Sequence, residues 1–494
     1  MQNRNHQNVG GCPLSLGRRE FLTAAGASAL ALKLDLLDFA SSLFGQEPKP
    51  AGKPRIALMF VRPKDRSKYW MSWPGQGYDP DAWAATYTKK LSDAGKELGV
   101  QMEVQKEPLS DAADVEAAVA RLKKSPPDGL IVIVQHLSWW KVADQLVKNR
   151  GDFPTLVFSQ MGTSFTGHLQ ATRLIPKTFV AATQDSDWLN FGMRMMHTVW
   201  AMKNSRLCIV SGNKVSDQQL QPIGTTLHYI PSQRWLDELA KTETTDQVRA
   251  IADHYTKAAK KIVEPTAADI LNAAKMYVVA RRILAAEKCQ GISLNCLPLV
   301  RAETVPCGPC LAWSKLNDEG IAAACEADRD ALVSLRLNAL LFQRPGFMQD
   351  PAPNTVNNTL MGAHCSCGTR LAGFDKPPEP FILRSHSEPN KGCAVQVLWR
   401  PGQEVTVWEF AGPGRIIVGT GRVAANIDTP PCGGCRTSVD LEMDMAPGAD
   451  TRDVMGFHQL FVYGKLDSQL RAYCQLAGIE AVPIFKEPPK APKA

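Results

Sequence analysis

DVEAAVARLKKSPPDGLIVIV, Asp114–Val134, carries the logic of the fold in one line. Val115, Ala118, Val119 and Leu122 recur at helical spacing and make one apolar face. SPPDG then breaks the helix in a turn. Leu130–Val134 is a short, continuous run of branched apolar residues, the mark of a strand covered on both sides. Upstream, IALMFV (Ile56–Val61) reads as a strand of the same kind; downstream, so does TLVF (Thr155–Phe158). Strand, helix and strand joined by short turns predict a parallel sheet with crossover helices.

The pattern restarts at LCIVSGN (Leu207–Asn213). Long helical segments follow, then GISLNCLPLV (Gly291–Val300) as a buried strand, then a helix with Leu332, Leu335, Ala339 and Phe342 on one side. Beyond residue 368 the texture changes. FILRSH, AVQVLW, EVTVWEF and RIIVGTGRV are short, alternating or β-branched, and parted by Gly and Pro. The expected fold class is α/β: two Rossmann-like α/β lobes followed by a β-rich, barrel-like C-terminal domain. The lobes are expected over 55–185 and 186–367, the second carrying the site loops. The β-rich domain is expected over 368–480, after a linker at 46–54 and before a flexible tail at 481–494. No fixed-period repeat interrupts this order.

With 494 residues the chain is long enough for two or three domains. The formal charge of +7 is partly in the terminal segments. No Lys/Arg run interleaves with aromatics, so nucleic acid is not expected as a partner. Residues 1–45 read as an export leader. Arg18 and Arg19 precede Phe21 and Leu22 and an apolar run, Ala24–Leu32, too short to span a bilayer. The arginine pair points to the twin-arginine machinery and an exported, periplasmic location, the leader being cleaved or kept as an anchor. Thirteen cysteines cannot all pair internally. Cys307 with Cys310, and Cys432 with Cys435, form two CxxC pairs open to three readings: disulfide, zinc, or plain buried thiols. Trp139 and Trp140, and Trp70 with Trp73, are either sugar-stacking rings or core residues.

Familiar catalytic signatures are absent: no GxSxG elbow, no phosphate loop, and no GxGxxG after the first strand, which argues against a nicotinamide oxidoreductase. What remains is a spaced series of ligand types. Glu326 stands in CEAD with Asp328, Asp350 in FMQD beside Gln349, His364 in GAHC, and His386 in RSHSEP. Carboxylates with imidazoles suit Mn²⁺ or Mg²⁺ better than zinc. Each also has a plain structural reading: a helix N-terminus for Glu326, a turn for Asp350, ordinary hydrogen-bonded rings for the histidines.

The order of these pieces, ending in RPGQEVT, resembles the L-fucose/L-arabinose isomerase family over about residues 291–415. The resemblance implies a metal-dependent interconversion of aldose and ketose sugars through a cis-enediol. Glu326, Asp350 and His386 would hold Mn²⁺, with His364 a fourth ligand or a substrate contact. Glu326 and Asp350 would pass the protons, and Gln349, Trp313 and Asp328 would complete the sugar site. Aligned strictly, Gln349 falls at the second acid position; a shift of one residue puts Asp350 there. Cys325, Cys365 and Cys367 crowd the same motifs as added soft ligands or as small buried hydrophobes. A homo-oligomer, trimer or hexamer, is implied by the same resemblance. The competing reading is an exported sugar-binding protein with two α/β lobes and no chemistry.

Overall fold

A computed structural model of the chain describes residues 52–65, 79–430 and 434–486. The export leader, Trp70, Trp73, Cys432 and the last residues of the tail lie outside them. Among the described residues, no helix is long and apolar enough to cross a membrane.

The first lobe is a parallel sheet of β1 (Arg55–Val61), β2 (Gln101–Val104), β3 (Gly129–Val134), β4 (Thr155–Ser159) and β5 (Thr178–Ala182), in the order β2-β1-β3-β4-β5. All six residues of β3 are buried, because helices cover both faces of a parallel sheet. The helix Ala112–Lys124 turns Val115, Ala118, Val119 and Leu122 inward, as its spacing requires. The Asp111 carboxylate caps it by accepting from the Asp114 N–H. Trp140 is core: its indole donates to the Thr163 carbonyl.

The second lobe contains β6 (Arg206–Val210), β7 (Ser216–Gln219), β8 (Thr226–Ile230), β10 (Gly291–Leu294) and β11 (Ala322–Cys325). Its order is β11-β10-β6-β8-β7, with only β7 antiparallel. GISLNCLPLV is a strand only as far as Leu294; a helix begins at Cys296. The short β9 (Lys261–Ile262) leaves the lobe to pair with β14 (Phe381–Arg384), which also pairs with β15 (Ala394–Val397).

The remaining strands are β12 (Phe347–Asn354), β13 (Thr359–His364), β16 (Glu404–Phe410), β17 (Arg415–Asn426), β18 (Thr437–Met443), β19 (Gln459–Tyr463) and β20 (Glu480–Pro483). They run β16-β19-β12-β13-β18-β17-β20, and β16 also pairs with β17. The sheet therefore closes into an antiparallel barrel of six strands, with β20 added in parallel on β17. Closure removes the exposed edges a sheet would otherwise present. The rings of Phe347, Trp399, Phe461 and Tyr463 pack against one another at 4.9–6.3 Å, all buried. Gly362 on β13 makes room for this cluster, since a Cβ there would lie 2.3 Å from the Phe461 ring.

The barrel begins at Phe347, ahead of the boundary expected near 368. Pro351 and Pro353 make FMQDPAPN look like a loop. β12 pairs with β19 only over Phe347–Gln349; from Asp350 onward its only partner is β13. A strand with one open side tolerates residues that lack an N–H.

Candidate metal centre

β11 ends at Cys325, and the chain then turns sharply through Glu326 (φ 60°) and Ala327 (φ 55°). Two consecutive non-glycine residues in left-handed backbone cost about 1–2 kcal/mol each. Such strain is held where a side chain must be aimed. The turn is fixed by Ala327 N–H donating to the Leu294 carbonyl and Asp328 N–H to the Cys325 carbonyl. Glu326 thus stands just beyond the carboxyl end of a parallel sheet, where open α/β sheets bind ligands.

Three further groups come from the barrel. Asp350 is on β12, His364 ends β13, and His458 directly precedes β19. Glu326, His364 and His458 each offer a ligand atom within 4.8 Å of the others. His364 Nε2 is 3.9 Å from Glu326 Oε1, and His458 Nε2 is 3.9 Å from Glu326 Oε2. Asp350 Oδ1 lies 3.1 Å from His458 Nε2. The two imidazoles meet edge to face at 5.8 Å.

Each ring is oriented by a second group, as ligating histidines are. The His458 Nδ1–H donates to Asp328 Oδ2 at 2.7 Å, leaving Nε2 aimed at Glu326 and Asp350. His364 Nδ1 meets Ser366 Oγ at 3.1 Å, which turns its Nε2 to the same place. The other Asp328 oxygen caps the helix Arg329–Phe342 through the Ala331 N–H, so a rigid element fixes it.

The electrostatics follow from these contacts. Burial acts to lower His458, but the carboxylates of Asp328 and Asp350 outweigh it and raise it to about 9. Burial holds His364 below its ordinary value. Burial works to raise Asp328, yet the hydrogen bonds from His458 and the Ala331 N–H leave it lowered. Asp350 Oδ1 and His458 Nε2 are both buried, and beyond their 3.1 Å contact neither has a hydrogen-bond partner. Buried polar atoms left with only each other ask for a further ligand. Two carboxylates and two imidazoles converging on such atoms fit a divalent cation.

Of the other expected site residues, Gln349, His386 and Trp313 lie elsewhere. Gln349 alternates to the opposite side of β12, where its Nε2 donates to Gln459 Oε1 at 3.1 Å. Asp350, and not Gln349, therefore faces the imidazoles. His386 is outside the group; its Nδ1 accepts from the Glu388 N–H and its ring stands over Gly308. Trp313 is fully buried edge to face against Trp235 and offers no surface to a sugar. Asp328 is brought to the site, but as the partner of His458. That histidine is the residue sequence reasoning misses. Its signal is a histidine directly ahead of the apolar strand QLFVY; only the β12–β19 register reveals that this strand lies beside Asp350. Among the thiols, Cys307, Cys310, Cys325, Cys365 and Cys367 are buried and Cys435 is half-buried, all unpaired. An open cavity of about 740 Å³ lies on the first lobe and one of about 680 Å³ between the two lobes and the Tyr473–Ile479 segment, and none of these site residues lines them.

No protein-family model matches the chain. Over 285 residues, 55% of the chain, it is 25% identical to the sulfoquinovose isomerase of Clostridium sp. (strain MSTE9). The match spans 61% of that protein's length. The chain is thus similar to a sugar isomerase at a distance.

Proposed function

We propose that the protein is a metal-dependent aldose–ketose isomerase. The observation that carries this reading is the convergence of Glu326, His364 and His458, with Asp350 3.1 Å from His458 Nε2. Distant likeness to a sugar isomerase supports it. The four side chains would hold Mn²⁺ or a similar divalent ion. Such an ion supplies Lewis acidity at the sugar's carbonyl oxygen.

The remaining chemistry falls to the chain. Isomerisation moves a proton between C1 and C2 and another between O1 and O2. Glu326 and Asp350 are carboxylates from opposite sides of the site, one on a lobe and one on the barrel. One takes the carbon-bound proton to give a cis-enediol, and the other shuttles the oxygen-bound proton. Asp328 keeps the His458 ring in place throughout. A sugar-binding protein without catalysis has no need of strained backbone under an acid.

The test is metal analysis of the purified protein, followed by NMR of C2–H exchange in D₂O across an aldose panel. The panel includes neutral hexoses, 6-deoxy sugars and a 6-sulfonated aldose. Bound Mn²⁺ with deuterium at C2 is expected, both lost in Glu326→Gln. Absence of metal and exchange in the wild type would overturn the reading.

A further inference from the structure

Behind the acid–imidazole group lies a second cluster of opposite chemistry. Cys365 directly follows His364 and packs in one buried cluster with Cys310, and Cys435 packs against that cluster. One cysteine from each CxxC pair thus meets a third thiol that is distant in sequence. Ser387 Oγ stands 3.9 Å from the Cys365 sulfur and 4.0 Å from that of Cys435. The sulfurs form a row with Cys365 in the middle. Among the described residues, only Glu326, His364 and His458 have donor atoms all within 4.8 Å of one another, so the thiols are not gathered around one point as a zinc site would gather them.

A row of thiols is the arrangement for exchange. We propose that Cys365 and Cys435 are a thiol-modification site that reacts with small-molecule disulfides, the class of oxidised glutathione, to close a reversible bond beside the candidate metal centre. Three observations favour this pair. Cys310 and Cys365 are 4% and 3% exposed, whereas Cys435 is half-buried, the least covered of the three. β13 and β18 end in the pair His364–Thr437, so Cys365 and Cys435 lie just past neighbouring strand ends, one position out of register with each other. The residue after Cys435 is pinned: the buried Arg436 guanidinium donates to the Ser385 and Pro430 carbonyls and to Ser385 Oγ.

The step balances as two exchanges. The Cys435 sulfur attacks the reagent disulfide and forms a mixed disulfide; the first thiol leaves with the proton from Cys435. The Cys365 sulfur then attacks the Cys435 sulfur, and the second thiol leaves with the proton from Cys365. Two protein thiols lose two electrons, and one disulfide becomes two thiols. Because Cys365 adjoins His364, the bond re-aims that ring; this consequence rests on the metal-centre reading, while the bond itself does not.

The full-length protein is incubated with oxidised or reduced glutathione, its remaining thiols are alkylated, and it is digested without reductant for mass spectrometry. A peptide pair joining Cys365 to Cys435 is expected in the oxidised sample only, reversed by dithiothreitol, retained in Cys310→Ser and lost in Cys435→Ser. Free thiols at both positions, or either cysteine joined to another partner, would overturn the proposal. In parallel, calorimetry is expected to show Mn²⁺ binding at least threefold weaker in the oxidised form. Equal affinities would overturn the link to His364. No Mn²⁺ binding in either form would overturn the metal reading and leave the peptide map to decide the disulfide.

Discussion

His364 and Cys365 are neighbours in the chain and face different worlds. His364 meets Glu326 and His458 on the side of the barrel that looks toward the second lobe. Cys365 is turned among thiols, and the nearby His386 accepts from a local backbone N–H. One strand end thus separates hard oxygen and imidazole donors from soft thiols. The difference shows that residue type alone does not mark a metal site. His386 and His458 are equally plausible ligands by composition; what distinguishes them is the carboxylate that orients His458 and turns its Nε2 toward Glu326 and Asp350.

The sharpest way to break this comparison is to remove one ring from each side. His458→Ala is expected to lose bound divalent metal and to cut turnover by about 10²–10⁴-fold, the usual range for a lost acid–base or ligand group. His386→Ala should keep both, and metal loss there would reverse the assignment. Next in size is a pH effect on the hard-donor side. Burial raises Glu409 to about 7, Asp328 and Asp330 pushing the same way against the Phe457 N–H. An acid that keeps its proton to pH 7 when folded, and loses it near its ordinary value when unfolded, makes stability fall as pH rises between those values. The loss is up to about 3 kcal/mol by the span involved. Denaturant midpoints at pH 5 and pH 8 should show it, and Glu409→Gln should flatten the difference.

Smaller still is Asp328→Asn. Asparagine caps a helix as well as aspartate, so the helix Arg329–Phe342 should persist. An amide cannot satisfy both the Ala331 N–H and the His458 Nδ1–H as the carboxylate does, so metal affinity should drop about 10–100-fold with little change in melting temperature. The least effect is expected from Ala327→Gly. Glycine relieves left-handed backbone but adds unfolded-state entropy, for a net change within about 1 kcal/mol by thermal unfolding.

Much of the fold is legible in the sequence because buried parallel strands advertise themselves: IALMFV and LIVIV can be little else once SPPDG lies between helix and strand. The barrel's first strand is hidden because Pro351 and Pro353 imitate a loop, an ambiguity resolved only by seeing that one side of β12 is open there. For the site, Glu326, Asp350 and His364 are readable from local motifs. His458 is not, since nothing near it in the chain states that β19 pairs with β12. The choice between Gln349 and Asp350 likewise turns on strand alternation, which a motif cannot express.

The centre draws Glu326 from a lobe strand and its other three donors from the barrel. A cation held there acts as a rivet through the seam between two independently patterned layers. Chelation should therefore loosen the joint before it melts either layer, splitting one cooperative transition into two.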